Sequence, residues 1–381
     1  MSKHETPEQR EIRSTARSML TRAQPIAAAR TAEGDYTGGF DPVLWRQLSQ
    51  ELGVTALVAP ESVGGLELGL VDVGVVLEET GRACYNGPAL ESAVLTPQLL
   101  KLADQDVEGD WAELVEESRI ATIAGIGRIA SSHRRDTAAA TRSGDEWVLD
   151  GAVFGVPHGL IADTVYVVAD CEAGTGVWAV TADADGHQRK AMDTLDLTRP
   201  MALHRFASTP ARLVLSATAD PERLHLLIAG AVTALSAEQV GIAQHLLELT
   251  VDYVRTRYQF GRAIGSFQAV KHRCVNMAIA TEGATAASSA ARDAVDAASP
   301  GDAETVAEAL RLSALAGAYC SDAVVDVAGA ALQLHGGIGM SWEHDIHIYL
   351  RRAKVAQSLL GAPRDHRRAL SNLLGLHSAS A

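Results

Sequence analysis

The sequence predicts an α+β fold in three parts: an N-terminal helical domain (residues 1–117), a middle antiparallel β-domain (118–217) and a C-terminal four-helix bundle (218–381). Three observations predict this order. The first third of the chain has amphipathic helical periodicity, the middle third has short β-rich runs, and the last third has long alanine-rich segments with helical spacing. A chain of 381 residues also has room for two or three domains.

The N-terminal part contains local signals for several helices. Thr6 followed by Pro7 predicts a helix start, because proline is tolerated in the first helical turn. A second amphipathic segment begins near Asp41, and its apolar stripe at i, i+4 and i+8 consists of Leu44, Leu48 and Leu52. Pro60 and a glycine pair interrupt this segment before helical periodicity resumes over residues 70–80.

The middle part has a different pattern. Short runs rich in β-branched and aromatic residues, separated by Gly and Asp, predict strands over residues 147–151, 164–169, 177–180 and 212–215. No helical periodicity separates these runs. They therefore predict a small, mostly antiparallel β-domain.

The C-terminal part has the strongest helical signal. Four long segments with helical spacing are predicted, over residues 221–256, 264–298, 302–332 and 343–375. Pro300-Gly301 separates the second segment from the third. Long helices with short connections and many small residues are typical of an antiparallel bundle.

Composition excludes several classes of protein. The chain has 33 Lys and Arg against 47 Asp and Glu, a net charge of 33 − 47 = −14, which argues against nucleic acid or an anionic membrane as a partner. The four cysteines are far apart and form no CxxC motif, so neither a disulfide framework nor a zinc site is indicated. The charged N-terminus does not resemble a signal peptide, and a cytoplasmic protein is expected.

Two motifs suggest a nucleotide-like ligand. The first runs from Arg257 through Phe260 to Gln268, and the second contains Gln333, Gly336 and Gly337. Arg257 and Phe260 are three residues apart, so they are expected to share a helix face or its end. A guanidinium holds a pyrophosphate bidentately, an aromatic ring packs on a flat ring, and a glycine pair permits close approach. Taken separately, the first motif is also consistent with a solvated basic helix end, and the second with a glycine helix cap.

Together the motifs resemble the RxxFG…FQ and QxxGGxG signatures of the acyl-CoA dehydrogenase family, and residues 41–82 resemble its first domain. The resemblance covers nearly the whole chain and implies the same helix–β–helix fold. It implies FAD as cofactor, shared across a subunit interface. The residues expected to contact the adenine and pyrophosphate end of a flavin whose ring lies in the neighbouring subunit are Arg257, Phe260, Gln268, Gln333, Gly336 and Gly337.

The residues that the family uses at its own flavin ring and substrate are missing. The loop at 124–132 lacks Thr-Glu-Pro and has only Ser131 and Ser132 as hydroxyls, and the turn at 153–159 lacks Trp-x-Thr. The reaction needs a carboxylate that removes a proton next to the thioester carbonyl. Leu360 and Ala231 occupy the two positions where family members carry this glutamate, so no catalytic residue is predicted at either.

Glu238 is the one nearby acid in this region. It follows Ala231 by seven residues, so the two share a helix face about 10 Å apart along the axis. That separation disfavours Glu238 as the base and favours a buried or interface-paired glutamate. His344 and His347 have a spacing that suits a metal, but no third ligand accompanies them, so no metal site is predicted. The segment 196–200 is interpreted as structural.

The leading hypothesis is a non-catalytic subunit of a heteromeric acyl-CoA dehydrogenase. The pattern resembles the degenerate chain of actinobacterial α2β2 dehydrogenases that act on steroid side-chain CoA thioesters. Its expected partners are a paralogous chain, an acyl-CoA substrate and an electron-transfer flavoprotein, with no nucleic acid and no membrane. The alternatives are an active homotetramer with Glu238 as a displaced base, and a non-enzymatic acyl-CoA-binding or assembly protein on the same fold.

Overall fold

A capping box begins the first helix of the structure, a computed structural model that describes residues 5–32, 36–130, 136–216, 218 and 221–376. The Thr6 hydroxyl accepts a hydrogen bond from the Gln9 backbone N–H (3.2 Å), and the Gln9 side chain accepts one from the Thr6 N–H (3.1 Å). Pro7 occupies the first helical turn, where its missing N–H has no intrahelical partner to lose. The helix start predicted at Thr6 is confirmed.

The N-terminal part consists of helices joined by turns and loops. Its helices are α1 Pro7–Ala23, α2 Pro25–Thr31, α3 Pro42–Arg46, α4 Leu70–Arg82, α5 Thr96–Leu102 and α6 Glu108–Val115. Two π-helical turns, Gln47–Glu51 and Glu91–Leu95, and a 3₁₀ turn, Glu61–Val63, complete it. Leu44 and Leu48 of the predicted stripe are buried, although the π-helical turn after α3 replaces a regular helix there.

The middle part is a β-domain with one short helix, α7 Gly127–Ala130. Its strands are β1 Ala121–Ala124, β2 Ala139–Ser143, β3 Glu146–Pro157, β4 Thr164–Cys171, β5 Gly174–Thr181, β6 His187–Met192 and β7 Met201–Leu215. The pairings β4–β2–β3–β7–β5–β4 form a closed ring, with β1 added to β4 and β6 added to β7. The four predicted runs lie in β3, β4, β5 and β7. The pairs are antiparallel as predicted, except that β4 pairs in parallel with β1 and β2.

The C-terminal part is a helical bundle with a small hairpin. Its elements are α8 Pro221–Thr256, β8 Tyr258–Gln259, β9 Arg262–Ala263, a 3₁₀ turn Ile264–Ser266, α9 Gln268–Ala297, α10 Ala303–His335, α11 Gly337–Met340, α12 Ile346–Leu359 and α13 Pro363–Leu373. The predicted single segment over 343–375 is wrong, because the chain breaks at Leu360 and Gly361 and Pro363 starts a new helix.

Two helices of the bundle are apolar enough to cross a membrane by length and composition alone, α8 and α10, among the residues that the structure describes. In α8, 94% of the apolar window is buried within the protein, and in α10 56% is buried. A helix that is apolar on all sides because it lies in the core gives the same signal. The composition of these two helices is therefore weak evidence for a membrane span.

A close crossing of α4 and α8 positions the charged centre described below. A Cβ on Gly81 of α4 would run into the carbonyl of Glu238 on α8, and a Cβ on Gly241 of α8 would run into the carbonyl of Glu78 on α4. Glycine at both points lets the two backbones touch. This contact fixes the Glu238 backbone deep in the protein, between the N-terminal and C-terminal parts.

Candidate functional site

The first motif forms an exposed hairpin at the end of α8. The helix ends at Thr256, and the Arg257 N–H closes its last turn by donating to the Tyr253 carbonyl (2.8 Å). Phe260 and Gly261 both have positive φ (53° and 76°), as in a two-residue hairpin loop between β8 and β9. Of the two alternatives expected for Arg257 and Phe260, the shared helix face is wrong, and both residues lie at the helix end, just after Thr256.

The side chains of this hairpin point to solvent. Phe260 is 91% exposed and meets the Phe267 ring edge-on at a centroid distance of 6.2 Å. The Arg262 guanidinium lies 4.0 Å above the same Phe267 ring. Within the described part of the chain, the Arg257 and Gln268 side chains are exposed and make no hydrogen bond or ion pair. A bulky apolar side chain at positive φ is costly, and such strain is common at binding sites.

The second motif lies at the end of α10. Gly336 has φ 63° and caps the helix by donating its N–H to the Gln333 carbonyl (3.3 Å), so the helix-cap interpretation also holds. A Cβ on either Gly336 or Gly337 would meet nothing within 4 Å, which leaves open space for a ligand. The Gln333 side chain is exposed and makes no hydrogen bond to the residues that the structure describes.

A ring stack brings the two motifs together. Tyr253, on the last turn of α8, stacks on His335, the last residue of α10, at a centroid distance of 4.1 Å. The Tyr253 hydroxyl also donates to the His335 carbonyl (3.4 Å). The exposed guanidinium, the aromatic tip and the open glycine pair therefore lie at one end of the bundle. Their roles as cofactor-binding residues stay a prediction.

A small cavity of about 220 Å³ lies where the three parts of the chain meet. It is lined from the N-terminal part by Glu91, from the β-domain by Gly127 and Arg128, and from the end of α12 by Leu359 and Leu360. Its volume is below the range of about 300–1,000 Å³ that is usual for ligand pockets. Leu360 is 3% exposed and Ala231 is fully buried, and neither side chain accepts a proton.

The β-domain loop packs directly on the end of α12. A Cβ on Gly127 would lie only 2.9 Å from the Leu359 carbonyl oxygen. For a flat ring to fit between the loop and α12, the two must lie about 7 Å apart, which is twice a van der Waals contact distance of ~3.5 Å. Arg128 turns towards β4, where it donates to the Val168 carbonyl (3.2 Å) and pairs with Asp170. This arrangement does not fit a flavin ring between the loop and α12. Ser131 and Ser132 lie outside the described residues.

Glu238 is held between two buried arginines. Its carboxylate accepts hydrogen bonds from Arg199 Nη2 (2.5 Å) and from Arg352 Nε and Nη2 (3.0 and 3.1 Å), and all three residues are 1% exposed. Burial alone would raise the pKa of Glu238, but the two guanidiniums outweigh it and hold the pKa below its ordinary value. A general base in a dry pocket needs the opposite shift, so the geometry favours the paired glutamate over a displaced base.

The segment 196–200 joins the same network, as its structural interpretation requires. Arg352 Nη1 donates to the Thr198 carbonyl (3.0 Å), and the Asp196 carboxylate accepts from the Thr198 hydroxyl (2.6 Å). Asp196 also lies 3.4 Å from Arg352 Nη1. The segment thus connects the β-domain to α12 through charge-assisted hydrogen bonds.

Glu91 and His158 form a buried pair that the sequence analysis missed. The His158 Nδ1 lies 3.1 Å from Glu91 Oε2, and both residues are at least 98% buried. Burial raises the pKa of Glu91, but His158, followed by Arg199, lowers it to about 2, so the carboxylate is ionised and His158 is the donor. The signal in the sequence is a lone acid within the apolar run 89–95.

His344 and His347, the two histidines whose spacing suits a metal, make other contacts. His344 Nδ1 accepts from the Ile346 N–H (3.3 Å) at the start of α12, and His347 stacks on Trp342 at a centroid distance of 5.0 Å. Within the described ranges, no group of three His, Cys, Asp or Glu side chains is placed to hold a metal. The two histidines have a capping and a stacking role.

The helix–barrel–helix order, together with the hairpin and glycine pair at one end of the bundle, defines an acyl-CoA dehydrogenase protomer. The sequence models of the family agree: "Acyl-CoA dehydrogenase, N-terminal domain" matches residues 6–114, and "Acyl-CoA dehydrogenase, C-terminal domain" matches residues 231–371. The chain belongs to the acyl-CoA dehydrogenase family of flavin-dependent oxidoreductases, whose cofactor is FAD.

Individual relatives resemble the chain over its full length. "Acyl-CoA dehydrogenase IpdE2" of Mycobacterium tuberculosis (strain ATCC 25618 / H37Rv) is 33% identical over 367 residues, 96% of this chain and 97% of that protein. A variant of the "Tcur3481-Tcur3483 steroid ACAD" has a TM-score of 0.83 at 28% identity and covers 98% of this chain and 99% of its own. A chain of the "ChsE4-ChsE5 complex from Mycobacterium tuberculosis" has a TM-score of 0.84 at 25% identity, and the match covers 100% of this chain and 100% of that chain.

Proposed function

We propose that this chain is the non-catalytic subunit of a heteromeric acyl-CoA dehydrogenase that introduces an α,β double bond into an acyl-CoA thioester. One contrast carries the proposal. The side chains of Arg257, Gln268 and Gln333, which would serve a neighbouring subunit's flavin, are exposed and make no hydrogen bond or ion pair to the described residues. The chain's own acid positions, in contrast, are Leu360 and Ala231, both buried.

The exposed residues fit the adenine and pyrophosphate end of FAD. The Arg257 guanidinium offers five N–H donors in a planar fork that matches a pyrophosphate oxygen pair. Gln333 and Gln268 add hydrogen bonds, Phe260 offers an aromatic face, and the open space at the glycine pair admits the ligand. The bound flavin supplies the acceptor for the hydride that leaves the β-carbon of the substrate.

The cavity where the three parts of this chain meet is not suited to catalysis. The cavity there is small, the Gly127 loop touches α12, and the two usual acid positions are apolar. Glu238 is an ionised partner of two arginines and has no free carboxylate face, which removes the main support for a homotetramer with a displaced base. A paralogous partner is needed to supply the base and the flavin-ring site.

The comparisons favour one class of partner and substrate. One similar structure is a two-chain complex, and another is a two-chain steroid ACAD. We therefore propose an α2β2 assembly with a paralogous dehydrogenase chain, and a steroid side-chain acyl-CoA as substrate. Transfer of electrons to an electron-transfer flavoprotein and a cytoplasmic location belong to the same proposal.

Co-expression tests the proposal directly. Purified alone, this chain is expected to be colourless, and flavin absorbance and turnover should appear only when a paralogous chain with an intact glutamate is co-expressed. Full flavin occupancy and turnover by this chain alone would refute the proposal. If every paralogous chain of the organism fails to produce turnover with it, the non-enzymatic assembly alternative replaces it.

The Arg257→Ala variant tests the contribution to the neighbour's cofactor. Loss of a charge-assisted hydrogen-bond pair to pyrophosphate is worth about 1.5–3 kcal/mol, so FAD should bind the complex roughly 10- to 100-fold more weakly. Arg255→Ala is the matched control, because Arg255 is an exposed arginine on the last turn of α8. FAD retention is measured by fluorescence after dialysis, and equal retention by both variants would contradict the role of Arg257.

A further inference from the structure

A second cavity, of about 430 Å³, lies between the N-terminal helices and the C-terminal bundle. Its walls come from α1, α2 and the end of α4 on one side, and from α8 and the start of α12 on the other. It shares no lining residue with the junction cavity or with the two flavin-type motifs. Its volume falls within the range of about 300–1,000 Å³ that is usual for ligand pockets.

Three arginines line this cavity. Arg17, Arg30 and Arg82 stand against two lining acids, Glu79 and Asp345, and Arg82 also pairs with Glu248 outside the lining, so each guanidinium has a carboxylate partner. Glu79 is already held twice, by Arg17 (2.7 Å) and by Arg13 (2.8 Å). Several guanidiniums around one cavity can donate together to a single anion.

The three arginines do not use all of their N–H donors within the described residues. Arg17 uses Nε and Nη2 on Glu79, Arg82 uses Nη2 on Glu248, and Arg30 uses Nη1 and Nη2 on Asp345 and the His344 carbonyl. Each guanidinium has five N–H donors. The buried Arg30 Nε has no partner in the described residues. A buried donor without an acceptor is costly, and an anion in the cavity is suited to satisfy it.

Besides the charged residues and the polar Thr21 and Gln24, the lining contains a neutral histidine and an apolar wall. The His245 ring packs against the Tyr349 ring at a centroid distance of 5.1 Å and an interplanar angle of 44°, and its buried Nδ1 has no partner among the described residues. Burial, with the positive charge of Arg82 added, lowers the pKa of His245 to about 4, so the ring is neutral at pH 7. The opposite wall consists of Leu20, Pro25 and Ile26.

We propose that this cavity binds a small amphiphilic anion: a phosphate or carboxylate head held by Arg17, Arg30 and Arg82, with a short apolar body against Leu20 and Ile26. The head requires the spare N–H donors of the arginines, and the body requires the apolar wall. The site is separate from the flavin-type residues. Its occupancy therefore does not depend on the proposed function.

Calorimetric titration of the full chain with hexyl phosphate tests the proposal, with inorganic phosphate and hexanol as partial probes. Hexyl phosphate is expected to bind at least tenfold more tightly than either partial probe. The Arg17→Gln/Arg82→Gln variant should lose at least tenfold in affinity for hexyl phosphate. Arg22→Gln, a change to an exposed arginine of α1 outside the lining, should lose none.

A second variant guards against misfolding. Ala27→Phe adds a ring at an exposed lining position and leaves every arginine in place, so it should block hexyl phosphate while circular dichroism stays unchanged. Equal binding of hexanol and hexyl phosphate would refute the anion site. Equal affinity in the double variant and the Arg22→Gln control, or unhindered binding to Ala27→Phe, would overturn it as well.

Discussion

The Glu238→Gln variant separates a structural glutamate from a catalytic one. The substitution keeps the volume of the side chain but removes the negative charge between Arg199 and Arg352, and it turns an amide N–H₂ towards a guanidinium donor. Removing one partner of a buried ion pair costs about 3–5 kcal/mol, because the remaining charges stay desolvated. We therefore expect the free energy of unfolding to fall by about that amount. Domains are stable by only about 5–15 kcal/mol.

Urea unfolding followed by circular dichroism at one protein concentration measures this loss. Glu248→Gln is the matched control, because Glu248 lies on the same helix and pairs with Arg82 at the surface. An exposed pair is worth about 0–1 kcal/mol, so this variant should unfold almost as the parent does. In the assembled complex, Glu238→Gln should leave turnover per bound flavin unchanged. Lost turnover with unchanged stability would refute the reasoning and restore Glu238 as the base.

Two further predictions concern stability. The pKa of Glu91 is depressed from 4.5 to about 2, so its contribution to the free energy of unfolding, on the order of 3 kcal/mol, is complete above pH 4.5 and is lost as the pH falls towards 2. Unfolding free energies between pH 6 and pH 3 should therefore fall less steeply in Glu91→Gln, and an identical slope would contradict the depressed pKa. Gly241→Ala should lower the free energy of unfolding by at least about 1–3 kcal/mol, because the new methyl runs into the Glu78 carbonyl. Gly109→Ala is the control and should not be destabilised, because its methyl meets nothing within 4 Å. Equal thermal midpoints for the two variants would count against the contact between α4 and α8.

The helices were predictable where their signals are local. The capping residue Thr6, the break at Pro300 and the uninterrupted apolar spacing of α8 are all contained in a few neighbouring residues. The break at Leu360 was not predicted, although Gly361 and Pro363 mark it, because the apolar spacing continues on both sides. Periodicity over long windows hides a short interruption.

The strands β2 and β6 were missed because their own residues do not favour strands. The strand β6 reads His-Gln-Arg-Lys-Ala-Met, and β2 contains mostly small and polar residues. Their conformation comes from pairing with the long neighbours β7 and β3. Such tertiary context overrides weak intrinsic propensity, and no local pattern reveals it.

In the candidate site, too, only the features that are contiguous in sequence were predictable. The hairpin and glycine motifs are contiguous in sequence, so they were found as motifs, although the turn at Phe260 was not. The pairs Glu91–His158 and Glu238–Arg352 join residues that are 67 and 114 positions apart. Neither pair has a local pattern, and only the packing of α4, α8, α12 and the β-domain creates it.

The buried apolar residue at Leu360 and the exposed hairpin at Arg257 and Phe260 differ for a physical reason. A base at the Leu360 position would place a carboxylate in a dry cavity, which costs several kcal/mol unless it is paired. Leucine there instead joins the main core and contributes about 1.5–3 kcal/mol of burial. The exposed Arg257 and Phe260 add nothing comparable to this chain's own stability, and Phe260 sits at a strained φ of 53°. A chain folding only for itself has a physical reason to replace the acid but none to keep the strained hairpin. In the complex proposed above, the hairpin acts on a ligand held by another subunit, which gives the strained φ at Phe260 a function.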